Sequence, residues 1–194
     1  MTKRTAILGL AVWASATLVL AQAPTTTSTQ VSSRQPAAAP APSGFRAEYA
    51  ADVESVGKKL VDLAEAFPAD KYGWRPAPGV RSVSEVFVHV VGGNSTFPSF
   101  LGVKRMEGIT RDSEKTVTDK ARIVELLKKS VENAKAAASA ISDADLDKKY
   151  KTFGDREMTG RQILMLMDNH MHEHLGQAIA YARMNGVTPP WSQN

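Results

Sequence analysis

The chain has 194 residues, a formal charge of +4 and 43% hydrophobic residues, enough for one ordinary globular core. With no cysteine, it excludes thiolate metal sites, a catalytic cysteine, disulfides and a cysteine-linked lipid anchor. The basic excess is mild and no Lys/Arg cluster alternates with aromatics, so no nucleic-acid partner is expected.

The N-terminus has the three parts of a secretory signal. Lys3 and Arg4 form the charged start, Ala6 to Leu20 the apolar run, and Ala21-Gln22-Ala23 a small-x-small cleavage site. The apolar run is short for a membrane anchor and ends in that site. Residues 1–23 are therefore expected to be removed on export to the periplasm or the medium, with no stable membrane insertion afterwards. Cleavage takes Lys3 and Arg4 from 24 basic residues and nothing from 20 acidic ones, so the charge falls to +2. Residues 24–43 are rich in Pro, Thr, Ser, Ala and Gln without apolar periodicity, which predicts a disordered linker. The folded domain is expected over residues 44–194.

Four amphipathic helices follow. The first runs from Ser43 to Phe67, with Phe45, Tyr49, Val53, Val56, Leu60, Leu63 and Phe67 at steps of three and four, and Pro68 stops it. The loop to Arg81 holds Trp74, expected to plug a bundle end, with a substrate wall as the alternative. Ser82 opens the second helix, with Glu85 in capping-box register and Val83, Val86, Phe87 and Val90 inward. His89 sits at the edge of that face; taken alone, a hydrogen-bonded core histidine is its simplest reading. Gly92-Gly93 and Pro98 predict a kink that opens a pocket mouth beside His89.

Residues 101–116 form a polar, mobile connection. The third helix spans Asp119 to Ile141 along Ile123, Leu127, Val131, Ala134, Ala138 and Ile141, its alanines allowing close approach of a neighbour. The connection from Ser142 to Gly154 carries one helical turn at Asp143–Lys148, and no strand pair is expected. The fourth helix spans Thr159 to Asn185, opened by a Thr159/Gln162 capping box and stopped at Asn185-Gly186. The fold class is all-α: a four-helix bundle, up-and-down or crossover, preceded by signal and linker.

Three of the four histidines fall on the last helix. Its apolar stripe runs Ile163, Met167, His170, His174, Ala178, Tyr181, so two imidazoles lie one turn apart on the inward face. His172 is roughly 200° round from His170 and faces solvent. Two unpaired polar rings are costly to bury together, and one-turn spacing directs both at a single ion. The zincin motif itself is absent. A strand-borne His170-x-His172 pair is an alternative that the helical period disfavours. If the second and fourth helices are neighbours, His89 joins His170 and His174, giving three neutral ligands and one open position. Such a site suits zinc, nickel, iron or copper better than magnesium or calcium.

Trp74-Arg75-Pro76, Arg81-Ser82-Val83-Ser84-Glu85 leading to His89, the His170/His174 pair with Leu175-Gly176-Gln177, Arg183-Met184-Asn185-Gly186 and Pro189-Pro190 together resemble the DinB-like (YfiT-like) superfamily over residues 44–194. The resemblance implies a four-helix bundle, often a homodimer. It also implies a divalent metal site, here at His89, His170 and His174, with zinc as the first choice and nickel or iron as alternatives. Characterised relatives include transferases and isomerases that use low-molecular-weight thiols. The export signal sets this chain apart from cytoplasmic relatives: the compartment favours a hydrolase, the family a thiol transferase, in either case on a small molecule. A non-catalytic metal-binding or metal-stapled bundle is the other class. No catalytic residue stands out; Glu85, Asp168, Glu173 and Gln177 are candidates to orient an imidazole from behind.

Overall fold

A computed structural model describes residues 41–192. The expected signal peptide (1–23) and the linker up to residue 40 lie outside the described residues. Four helices build the bundle: α1 (Gly44–Ala66), α2 (Val83–Thr96), α4 (Lys120–Ala140) and α5 (Gly160–Met184), with a short α3 (Ser113–Thr116) between the second and third of these. Ser43 and Phe67 cap α1, Asp119 and Ile141 cap α4, and Thr159 and Asn185 cap α5. The ends thus fall where the caps and breakers of the sequence put them.

The apolar stripes close one core. Val53, Leu60 and Leu63 of α1, with Phe67 at its C-cap, meet Ile123 and Leu127 of α4 and Ile163, Met167 and Met171 of α5. Each such side chain contributes about 1.5–3 kcal/mol by leaving water. α1 packs on α4 and α5, and α2 packs on the same two helices. Consecutive helices α1 and α2 therefore lie on one diagonal and α4 and α5 on the other. This is the crossover arrangement, and it makes the two histidine-bearing helices, α2 and α5, neighbours.

Close approach of α1 and α4 depends on small residues, as the alanines of α4 predict. A Cβ on Gly57 would stand 2.5 Å from Val131 Cγ1, and Ala134, Ala137 and Ala138 are fully buried. Tyr49 donates its hydroxyl to the Ala134 carbonyl at 2.9 Å. Buried Arg46 closes the C-terminal end of α4, donating to the Ala138 and Ile141 carbonyls at 2.9 Å and to Asp143 Oδ1 at 2.8 Å. Those carbonyls have no partner inside the helix, so a guanidinium is well matched to them.

Two expectations need correction. The connection before α5 is not purely irregular: β1 (Lys149–Lys151) and β2 (Glu157–Thr159) form an antiparallel hairpin with Tyr150 opposite Met158. Three-residue strands are too short to show alternation in a sequence. The expected kink at Gly92-Gly93 is also absent. The helix continues through both glycines to Thr96, and only at Phe97 does it tighten into a 3-10 turn that holds Pro98. Neither glycine is there to bend the chain.

Candidate metal centre

Two capping boxes set the phase of the histidines. Ser82 Oγ accepts from the Glu85 amide at 3.3 Å while Glu85 Oε2 accepts from the Ser82 amide at 2.7 Å, and Thr159 and Gln162 do the same for α5. Counting from these starts, His89 points from α2 towards α5, and His170 and His174 point back. His89 Nε2 lies 3.1 Å from His170 Nε2, and the three rings offer nitrogens all within 4.8 Å of one another. The ring centroids form a near-equilateral triangle, 4.9, 4.6 and 4.6 Å on a side.

Hydrogen bonds behind two rings decide which nitrogen carries the proton. Glu114 Oε1 is 2.5 Å from His89 Nδ1, and a carboxylate only accepts, so the proton sits on Nδ1 and the Nε2 lone pair faces the cluster. On the other side Tyr181 donates its hydroxyl to the Arg81 carbonyl at 3.1 Å, so it accepts from Gln177 Nε2 at 3.0 Å. That orientation turns Gln177 Oε1 towards His174 Nδ1, 2.9 Å away, and leaves the His174 Nε2 lone pair free. Both chains end on one residue, because the Arg81 guanidinium also donates to Glu114 Oε2 at 2.8 Å.

Electrostatics disfavour protonation of His170 and His174. Burial, with His174 and His89 beside it, pushes His170 down to about 3. Burial also lowers His174, against the opposing hydrogen bond to Gln177. Burial alone would raise the Glu114 carboxyl, but hydrogen bonds from Arg81 and His89 hold it below the usual range. Unprotonated imidazoles with lone pairs turned inward are what a transition-metal ion requires. The nitrogens of a tetrahedral zinc site stand about 3.3 Å apart, given Zn–N bonds of about 2.0–2.1 Å. The 3.1 Å His89–His170 spacing is close to that edge. His170 Nδ1 is buried without a hydrogen-bond partner among the described residues. The donor set fits a divalent cation.

Gly93 has its reason here. A Cβ at that position would stand 2.5 Å from His170 Cε1 and 2.8 Å from Nδ1, so only glycine lets α5 bring His170 this near α2. Phe97 packs edge-on against the same ring with centroids 5.1 Å apart. On the open side, a groove of about 620 Å³ reaches His89 and His170 between α2, the hairpin and the 102–112 connection. The space expected beside His89 exists, but beside an unbroken helix: Gly92 faces it, and a Cβ there would meet nothing within 4 Å.

His172 is on the far side of α5, where it meets Asp52 at 3.1 Å. Of the four residues considered as supports for an imidazole, only Gln177 plays that part. Glu85 is engaged in the cap and by Arg75, Asp168 faces His172, and Glu173 is exposed. Trp74 packs edge-on against Tyr181, with centroids 5.3 Å apart, and so plugs the bundle end that steadies the Gln177 chain. Glu114 was not legible: it sits on a four-residue helix inside a polar connection, where no periodicity points inward.

A model of the DinB family matches residues 41–193. The chain belongs to the DinB family. Among curated relatives of this DinB-family chain is the uncharacterized protein YjoA of Bacillus subtilis, 28% identical over 130 residues, or 66% of this chain and 82% of that protein. Among solved structures, a DinB-like protein from Bacillus cereus is 25% identical with a TM-score of 0.62, covering 74% of this chain and 92% of the other. A conserved protein from Enterococcus faecalis is only 14% identical and shares the fold, with a TM-score of 0.61 over 73% of this chain and 97% of the other.

Proposed function

We propose that this protein binds one divalent metal ion through His89, His170 and His174 and acts as a metal-dependent enzyme on a small molecule. The observation that carries the enzymatic part is the groove that opens directly onto His89 and His170. A metal held only to staple two helices needs no such opening; a catalytic site does. When bound, the cation supplies Lewis acidity towards an oxygen or sulfur of the substrate. Glu114 and Gln177 hold the protons on Nδ1 of His89 and His174 and keep the opposite lone pairs in place. Phe97 packs edge-on against the His170 ring. Zinc is the first choice of metal, with nickel or iron as alternatives. Hydrolysis and thiol transfer are both within reach of this chemistry.

Elemental analysis of the purified protein after dialysis tests the first half, with about one metal per chain expected. Turnover of a panel of chromogenic esters and amides, and of a thiol plus an aryl halide, tests the second. Activity should vanish on chelation and return with zinc. Absence of bound metal would overturn the whole reading. A metal-loaded protein inert on both panels that unfolds on chelation would reduce the ion to a structural part.

The N-terminal pattern supports export as the setting of this activity. Mass spectrometry on protein from the native host should find a mature form lacking residues 1–23. An intact Met1 terminus in soluble cytosolic protein would overturn it.

A further inference from the structure

The groove beside the histidines has a chemical character of its own. Arg105, Arg111 and Arg156 all line it, the first two from the connection after α2 and the third from the hairpin. Among the described residues none of the three has a carboxylate partner; Arg105 Nη2 donates only to Thr96 Oγ1 at 2.6 Å. The one acidic group in the wall, Glu114, is already held by Arg81 and His89. Between the arginines the surface is apolar, and Phe153 stands 53% exposed, resting edge-on against Phe97 and Phe100. Three unpaired guanidiniums on one rim repel cations and one another. Their combined field favours an anion, and a guanidinium fork matches carboxylate, sulfonate or phosphate oxygens.

We infer that the groove binds a small amphipathic organic anion, its acidic group on the Arg105, Arg111 and Arg156 rim and its apolar body over Phe153, with the far end at His89 and His170. The volume of about 620 Å³ suits one molecule of drug size. This substrate class rests on reading the histidine cluster as the reacting end of the site, but the anion is held by groups that are not in the cluster. Cationic substrates are excluded from the groove, and neutral ones gain nothing from its rim.

A matched pair of fluorescent probes tests the inference: 8-anilinonaphthalene-1-sulfonate and its uncharged counterpart N-phenyl-1-naphthylamine, titrated into the whole protein. The sulfonate should bind at least tenfold more tightly and weaken as salt rises, since the rim charges are screened. Arg105→Gln with Arg111→Gln and Arg156→Gln should abolish that preference while leaving the uncharged probe unchanged, and Phe153→Ala should weaken both. The arginines are exposed, and melting curves check that the variants remain folded. Equal affinity for the two probes, or a sulfonate preference that survives loss of the arginines, would overturn the inference. The His174→Ala variant separates it from the metal reading: sulfonate binding should persist there. Should the wild-type protein bind no metal yet prefer the sulfonate through its arginines, only the metal reading falls.

Discussion

The last helix contributes two residues to each of two three-residue clusters on opposite sides, and they behave differently. Inward, His170 and His174 meet His89; outward, His172 meets Asp52 and Asp168. His174 is 6% exposed, whereas the side chains of His172 and Asp52 are 47% and 50% exposed. Inside, burial disfavours protonation of His170 and His174, which leaves their lone pairs available. Outside, two carboxylates and water surround one ring, which lies 3.1 Å from Asp52 and 3.9 Å from Asp168, an ordinary surface ion pair once protonated. The environment, more than the residue type, separates a candidate ligand from a surface charge.

The largest expected effect breaks the inner cluster. His170→Ala or His174→Ala should lower zinc affinity at least a thousandfold, about 4 kcal/mol, because one of three protein ligands is lost. His172→Ala should leave zinc bound. Stoichiometry by elemental analysis, with circular dichroism to check folding, reads the contrast. Full occupancy in His170→Ala would show the two faces to be misassigned.

Acid should discriminate between the faces next. His170 titrates near 3 in the folded protein, against about 6.5 when unfolded. Between those values the unfolded chain binds more protons, so its stability share is fully present above about pH 6.5 and is lost as pH falls towards 3. His174 is shifted in the same direction. Asp168 has the opposite sign: burial, then the nearby Asp52, raises its carboxyl, so acid relieves it. The melting temperature of metal-free protein should fall steadily from pH 6.5 downward. Asp168→Asn should be more stable than the parent at pH 7, and that advantage should shrink towards pH 4.

Gly93→Ala is a smaller perturbation of the same centre. Its Cβ would meet His170 at 2.5 Å and push the ring away from His89. Roughly 1–3 kcal/mol of destabilisation is expected from the overpacking. Zinc affinity, measured by competition with a chelating dye, should fall with it. An unchanged affinity would mean that His170 has freedom to reorient. Glu114→Gln and Gln177→Ala remove supports behind His89 and His174 and should cost about 10–100-fold in zinc affinity, as such supports usually do. His172→Ala should cost least, about 0–1 kcal/mol of stability by denaturant titration, the range for an exposed pair.

The sequence alone determined the helices and the inward pair. Periodicity set the buried stripes of α1, α4 and α5, while Ser82, Asp119 and Thr159 set where three helices begin, because caps and stripes are local and repeat over many turns. His170, His174 and the outward His172 were legible for that reason. Only the tertiary structure decided that α2 lies beside α5 and not diagonal to it, and this adjacency makes His89 the third member. It also decided what Gly93 is for, since the need for a missing Cβ arises on another helix. Glu114, the hairpin and the three arginines of the groove belong to short aperiodic segments whose positions depend on what they pack against. The sequence thus carried the donors of the cluster, and the connections, folded over the bundle, supplied the walls of the groove.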